Sequence, residues 1–300
     1  MIETTGLAKS FGEILAVNHI TTKIRDGAVF GLVGTNGAGK STFLRLLSGV
    51  LRPDEGTVFV DGEPVYERPQ TKSRMFYISD EQYFLPGATP LETASHYRLF
   101  YPDFQMERCR KLFESFGLDE RRKIATFSKG MKKQVSIICG ICSGASYLLC
   151  DEAFDGLDPV MRQATKSLFA GEMEERSFTP VIASHNLREL EDICEDVGLL
   201  HAGGILLSGE LENMKLNIHK VQFVLKEEVP AQELFAPLEI LTDDRRGMLH
   251  IVTLRGDRET AEAKIRAAEP VFYELLPLSL EEIFISETEV AGYDVRKIIC

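Results

Sequence analysis

The sequence has no apolar run that could carry it through a bilayer. Its longest uncharged stretch, Gln134 to Cys150, is interrupted by Ser and Gly and falls short of the roughly 20 apolar residues a spanning helix needs. The opening Met1-Ile2-Glu3-Thr4-Thr5-Gly6 lacks a basic region followed by an apolar one, which argues against a secretory leader and for a cytosolic chain. Positive charge is in deficit: 34 Lys and Arg face 46 Asp and Glu, a net −12. Such a field repels nucleic acid and anionic headgroups, so no nucleic-acid partner is expected and membrane association should run through a protein. The cysteines, Cys109, Cys139, Cys142, Cys150, Cys194 and Cys300, lie mostly in apolar segments and are expected to be buried free thiols, not disulfides. Cys139 and Cys142 form a C-x-x-C, but without a second pair to complete a metal site they are expected to pack in a core. Internal repeats and low-complexity stretches are also missing, which sets tandem arrays aside.

What is present begins with Gly34-Thr35-Asn36-Gly37-Ala38-Gly39-Lys40-Ser41. It follows an apolar run from Ala28 to Val33 and precedes the helix-like Thr42-Phe43-Leu44-Arg45-Leu46-Leu47. The match to G-x-x-x-x-G-K-[ST] in this context predicts a phosphate cradle. Gly34, Gly37 and Gly39 let successive backbone N–H groups turn inward, and the following helix aims its positive dipole end at the same anion. Asn36 and Thr42 complete the loop's candidate nucleotide-binding set. Lys40 can reach the β- and γ-phosphates, and the Ser41 hydroxyl can ligand Mg²⁺. A second motif, Tyr147-Leu148-Leu149-Cys150-Asp151-Glu152, is an apolar strand ending in two carboxylates. Strand alternation lets the pair divide two tasks: Asp151 supporting Mg²⁺, Glu152 polarising the attacking water.

The 300 residues, 44% hydrophobic and 27% charged, suffice for one large or two unequal domains. Up to about residue 215 short β-rich runs alternate with helical patterns: strands 28–33, 57–60, 75–79, 147–150, 180–184, 196–200 and 205–208. Helices are expected at 40–48, near 90–100 and 104–116, near 129–142, and at 159–175 and 186–193. This α/β alternation predicts a mainly parallel sheet between helices. Beyond a boundary near Asn217 the order becomes strand 221–226, helix 230–236, strands 238–242 and 248–254, helix 258–268 and strand 270–275. That is the βαββαβ order of ferredoxin-like domains. The expected domains are therefore 1–216 and a small α+β domain, 217–300.

Over residues 1 to about 215 the chain resembles the ATP-binding subunit of an ABC transporter, because further motifs follow in that family's order. Thr126-Phe127-Ser128-Lys129-Gly130-Met131-Lys132-Lys133-Gln134 resembles the signature motif and Gly156-Leu157-Asp158 the D-loop. His185, after Val181-Ile182-Ala183-Ser184, resembles the switch histidine, and Phe11 before Gly12 the aromatic that stacks on adenine. The resemblance implies the fold of a P-loop NTPase: a parallel sheet core with an antiparallel β subdomain and a helical subdomain. It implies catalytic roles for Glu152 and His185, the latter contacting the γ-phosphate, and nucleotide contacts for Phe11, Ser128, Gly130 and Asp158. ATP and Mg²⁺ are the implied cofactors. A head-to-tail dimer is implied, for which a homodimer suffices and a heterodimer is not excluded, with a separate multi-span membrane permease docked at 86–143 and 79–84. That would make the chain peripheral on the inner face of the cell membrane.

Two residues depart from the pattern. Lys129 replaces the signature's usual first glycine, and the Ser-Lys-Gly-Met form resembles a branch of bacterial exporters that includes drug, bacteriocin-immunity and acetoin-type transporters. In Ile78-Ser79-Asp80-Glu81-Gln82-Tyr83, where the family usually places a Mg²⁺-sensing glutamine, counting back from Leu85-Pro86 puts Asp80. Asp80 would suit Mg²⁺, and Gln82 serves if the loop is shifted. The rival to a transport ATPase is a soluble ABC ATPase acting on a non-transport target. One phosphate loop, no heptad arm and an acidic balance weigh against it.

Overall fold

Two long strands that the sequence reading did not anticipate open the chain, Ile2–Phe11 and Ile14–Ile24. They pair antiparallel, and Ile2–Phe11 also pairs with Glu55–Val60. The result is a four-stranded sheet closed by Glu63–Pro64 at its edge. Their period-2 signal is blurred because the pairing slips register between Thr4 and Leu7, and again on either side of Lys9. Each bulge moves side chains between the faces and breaks simple alternation. The computed structural model describes residues 1–226 and 229–292; Cys300 lies outside them.

The described residues divide into two compact units, with the division between Ile205 and Leu206, inside the strand Gly204–Glu210. The first unit is built on parallel pairing. Phe30–Gly34 lies between Thr179–Ser184 and Asp196–His201, and Tyr147–Asp151 lies between Thr179–Ser184 and Met75–Ile78. Phe30–Gly34, Tyr147–Asp151 and Thr179–Ser184 are buried at every position, which is why they read as continuous apolar runs. Phe30, Phe43, Leu44, Leu149 and Val181 belong to one core cluster. Full burial of such a side chain is worth about 1.5–3 kcal/mol. Because the strands are parallel and in register (Val33 beside Ser184, Asp151 beside Ala183), their carboxyl ends meet at one edge, where open α/β sheets place ligands.

Helices Pro90–Tyr97, Met106–Ser115 and Lys129–Cys142 form a separate group; the first two are shorter than expected. Thr89 and Glu92 form a reciprocal capping box that starts the first. Cys109, Cys139, Cys142, Cys150 and Cys194 are buried free thiols. Hydrogen bonding between neighbouring thiols holds the Cys109 thiol well above its usual range, while Cys142 is raised by its hydrogen bond with Cys109 and by burial. Thiols so raised are poor nucleophiles.

In the second unit Ile218–Val224 and Leu249–Arg255 are the central strands of a four-stranded antiparallel sheet, with Glu239–Arg246 and Phe272–Leu276 at its edges. Helices Ala231–Phe235 and Arg258–Ala267 supply Phe235, Ala261 and Ile265 to its core beside Val221, Phe223, Val252 and Leu254. The helix Leu211–Asn217, unanticipated from sequence, precedes this sheet and Leu280–Val290 follows it.

Candidate functional site

The phosphate loop leaves the buried strand Phe30–Gly34 and enters the helix Lys40–Leu47. Gly39 allows the turn twice over: its φ is +103°, and a Cβ there would lie 2.2 Å from the Ala16 carbonyl oxygen. Gly39 is also the N-cap and offers no side-chain acceptor, so the first N–H groups of the helix remain for an anion. Lys40 is only 7% exposed. Its Nζ donates to the carbonyls of Gly34 (2.7 Å) and Thr35 (3.2 Å). Burial lowers its pKa, against the fields of Glu152 and Asp151. A cation held by two carbonyls can transfer its N–H bonds to phosphate oxygens, where they are stronger.

Facing it is an acidic cluster. Asp151 is buried; burial raises its carboxyl above the usual range against a hydrogen bond with Ser41, and the charges of Glu152 and Asp80 add to the rise. Glu152 sits at φ +52°, a left-handed conformation that costs a non-glycine residue about 1–3 kcal/mol. Its N–H donates to the Ala183 carbonyl at 2.8 Å. One carboxylate oxygen accepts from Ser184 Oγ at 3.2 Å and the other lies 3.0 Å from His185 Nδ1. The cleft, about 450 Å³, is lined by the phosphate loop, Ser41, Thr42, Asp80, Asp151 and Glu152, with Ile14, Leu15, Ala16, Ala202 and Gly203 along its side.

Next to the cleft, Ser128 caps the helix Lys129–Cys142 by accepting from the Met131 N–H. A Cβ on Gly130 would stand 2.3 Å from the Gly156 carbonyl oxygen, so this glycine lets the signature loop rest on the D-loop backbone. Lys129 Nζ lies 2.5 Å from Asp155 Oδ2 and 3.6 Å from Asp80 Oδ1. Lys133 is fully buried; its Nζ donates to the Asp151 carbonyl at 3.1 Å and lies 3.8 Å from the same Asp80 oxygen. That oxygen is itself buried and accepts no hydrogen bond. Gln82 spends its amide on the carbonyls of Ser79 and Asp80. Ser41, Asp151 and Asp80 thus form an oxygen-rich set with an unspent buried acceptor, which fits a hard divalent cation.

A model of the ABC transporter family matches residues 17–155, a span holding the phosphate loop and both strand-end carboxylates. Bacitracin transport ATP-binding protein BcrA of Enterococcus faecalis is 31% identical over 209 residues, 69% of this chain and 68% of that protein. This chain belongs to the ABC transporter ATP-binding family. ABC transporter ATP-binding protein YtrB of Bacillus subtilis (strain 168) matches 96% of the chain and 98% of its own length at 28% identity. Nod factor export ATP-binding protein I of Cupriavidus metallidurans (strain ATCC 43123 / DSM 2839 / NBRC 102507 / CH34) matches 96% and 97% at 27% identity. The solved structure of the ATP-binding subunit of an ABC transporter shares the fold, with a TM-score of 0.67 at 24% identity over 72% of this chain and 92% of that one. The chain is an ABC ATPase, and its phosphate loop lines the cleft.

Of the residues singled out from sequence, Asn36, Gly37, Gly39, Lys40, Ser41, Thr42, Asp80, Asp151 and Glu152 line this ABC cleft, with Gly34 accepting from Lys40 and His185 joined through Glu152. Others stand apart. Phe11 is outside the lining and 47% exposed, with the Lys9 ammonium 5.7 Å from its ring centroid. Ser128 and Gly130 serve the signature turn, and Asp158 caps Pro159–Glu175 by accepting from the N–H groups of Val160 and Met161. Sequence reasoning missed Ala202 and Gly203, whose turn is tied to the cleft by Gly203 N–H to the Ala38 carbonyl and Asn18 N–H to the Gly203 carbonyl. The Gly203-Gly204 pair between two strands was the available signal. Ile14, Leu15, Ala16 and Lys133 had no local signal.

Proposed function

We propose that the chain is the ATPase subunit of an exporter, closing as a head-to-tail dimer around two ATP molecules and driving a separate multi-span permease from the inner face of the cell membrane. The observation that carries this reading is the division of the motifs. The cradle, Asp151, Glu152 and His185 gather at one cleft, while Ser128 and Gly130 sit outside its lining. A half-site of this kind is completed by the signature of a second copy. Lys40 holds the phosphates, Glu152 orients the attacking water, and His185, anchored on Glu152, reaches toward the γ-phosphate. Ser41, Asp151 and Asp80 would hold Mg²⁺, which when bound neutralises developing phosphate charge. Phe11 is the adenine platform in this reading, and Asp158 belongs to the facing surface.

The permease is expected to be separate because no helix among the described residues is long and apolar enough to cross a membrane. Exposed Tyr83, Leu99 and Phe100 are apolar surface in the proposed docking region, as patches that meet partners are. Residues 1–216 are taken as the ATPase domain and 217–300 as an accessory domain. Export rests on the Ser128-Lys129-Gly130-Met131 form and on the relative named for Nod factor export. Expression with the membrane protein encoded beside it should yield a co-purifying complex whose ATPase rate exceeds that of the subunit alone. Neighbouring genes for ribosomal or repair proteins, with no membrane protein recovered, would overturn transport.

A further inference from the structure

Asp80 and Lys129 are the two departures from the family pattern, and the fold brings them within 3.6 Å of each other. An aspartate at position 80 adds a third carboxylate to a cleft already holding Asp151 and Glu152. Like charges so placed need a counter-cation when no metal is bound. The helix Lys129–Cys142 supplies two, Lys129 and Lys133, on the same face one turn apart. Lys133 is buried and fixed by its bond to the Asp151 carbonyl. Lys129 is 55% exposed, stands on a flexible stem, and is shared between Asp80 and Asp155. It can leave Asp80 and keep Asp155.

We propose that Asp80 and Lys129 are one compensated pair, in which Lys129 occupies Asp80 until a divalent cation displaces it. Lys129 is on this account a positioning residue: it ties the signature helix to the loop 79–84 while the cleft lacks metal and releases that loop when metal arrives. The loop and the signature of one subunit thereby respond to the same ion. Coupling is reciprocal, so a tie that the metal breaks must itself weaken metal binding. This rests on the reading of Asp80 as part of the Mg²⁺ site.

The test uses the full chain with a non-hydrolysable ATP analogue and Mn²⁺ as probe, free Mn²⁺ being read by electron paramagnetic resonance. Asp80→Asn should weaken nucleotide-dependent Mn²⁺ binding. Lys129→Gln should tighten it by up to about five-fold, the upper end for an exposed ion pair, whereas Lys129→Arg should stay near the parent. In the Asp80→Asn background Lys129→Gln should have no such effect. Lys132→Gln, with the same change of charge, should give less than half the gain. Unchanged affinity in Lys129→Gln, or equal tightening with Asp80 removed, overturns the pairing alone. Absence of nucleotide-dependent Mn²⁺ binding in the parent, or its indifference to Asp80→Asn, overturns the Mg²⁺-site reading and the pairing with it.

Discussion

Glu152 is held by its backbone in a left-handed conformation and by its side chain between Ser184 and His185. Strain of that size persists only where surrounding contacts over-determine it, and here they are the Ala183 carbonyl and the adjacent strand end. Its neighbour Asp151, the last residue of its strand, points back to Ser41, so the left-handed turn at Glu152, and not strand alternation, sends the two adjacent acids to different partners. The division can be measured. Glu152→Gln keeps the shape and loses the acceptor for a water proton. It should retain nucleotide affinity while single-turnover hydrolysis falls by about 10²–10⁴-fold, and a parental rate would remove Glu152 from the chemistry.

At the scale of elements, both units combine apolar burial with ion pairs. In the first, Phe30–Gly34, Tyr147–Asp151 and Thr179–Ser184 are buried at every position, and the Arg25 guanidinium donates to both oxygens of the buried Asp196. In the second, the helix Leu280–Val290 buries Leu280, Ile283 and Phe284 and is also tied to the sheet by charge. Ser279 and Glu282 form its capping box, Lys220 Nζ lies 2.7 Å from Glu282 Oε1, and Arg255 lies 2.5 Å from Glu287. Burial works to raise the Glu282 carboxyl, but Lys220 and the Ser279 N–H outweigh it and leave the pKa below its usual 4.5. A carboxyl depressed in the native state stabilises the fold above its unfolded pKa and loses that contribution as pH falls through the native value. Glu282→Gln should therefore destabilise the protein by less than about 1 kcal/mol near neutral pH. In thermal melts against pH the gap to the parent should close below about pH 4.5. A gap that persists in acid would assign the loss to packing.

For the whole molecule, the cleft can only be half of a site if Ser128 and Gly130 serve another copy. Glu152→Gln with ATP and Mg²⁺ should elute from gel filtration as a dimer, and as a monomer when Lys40→Ala is added, because the phosphate contact that joins the halves is gone. A monomer in both cases would refute closure around nucleotide. The cradle was legible in the sequence because Gly34 to Ser41 are contiguous, and the order of motifs was legible for the same reason: each is local. The buried parallel strands were legible from unbroken apolar runs, while the opening pair Ile2–Phe11 and Ile14–Ile24 was not, since bulges scramble its alternation. By itself the sequence determined the α/β class, the nucleotide cradle and the acid pair, all encoded in short windows by residue type and period. Only the tertiary structure decided that Asp80 and not Gln82 faces the cleft, that Glu152 lies against His185, and that Lys129 and Lys133 converge on Asp80. Those pairings join residues far apart in the chain, and strand register and helix packing, not spacing, bring their charges within reach.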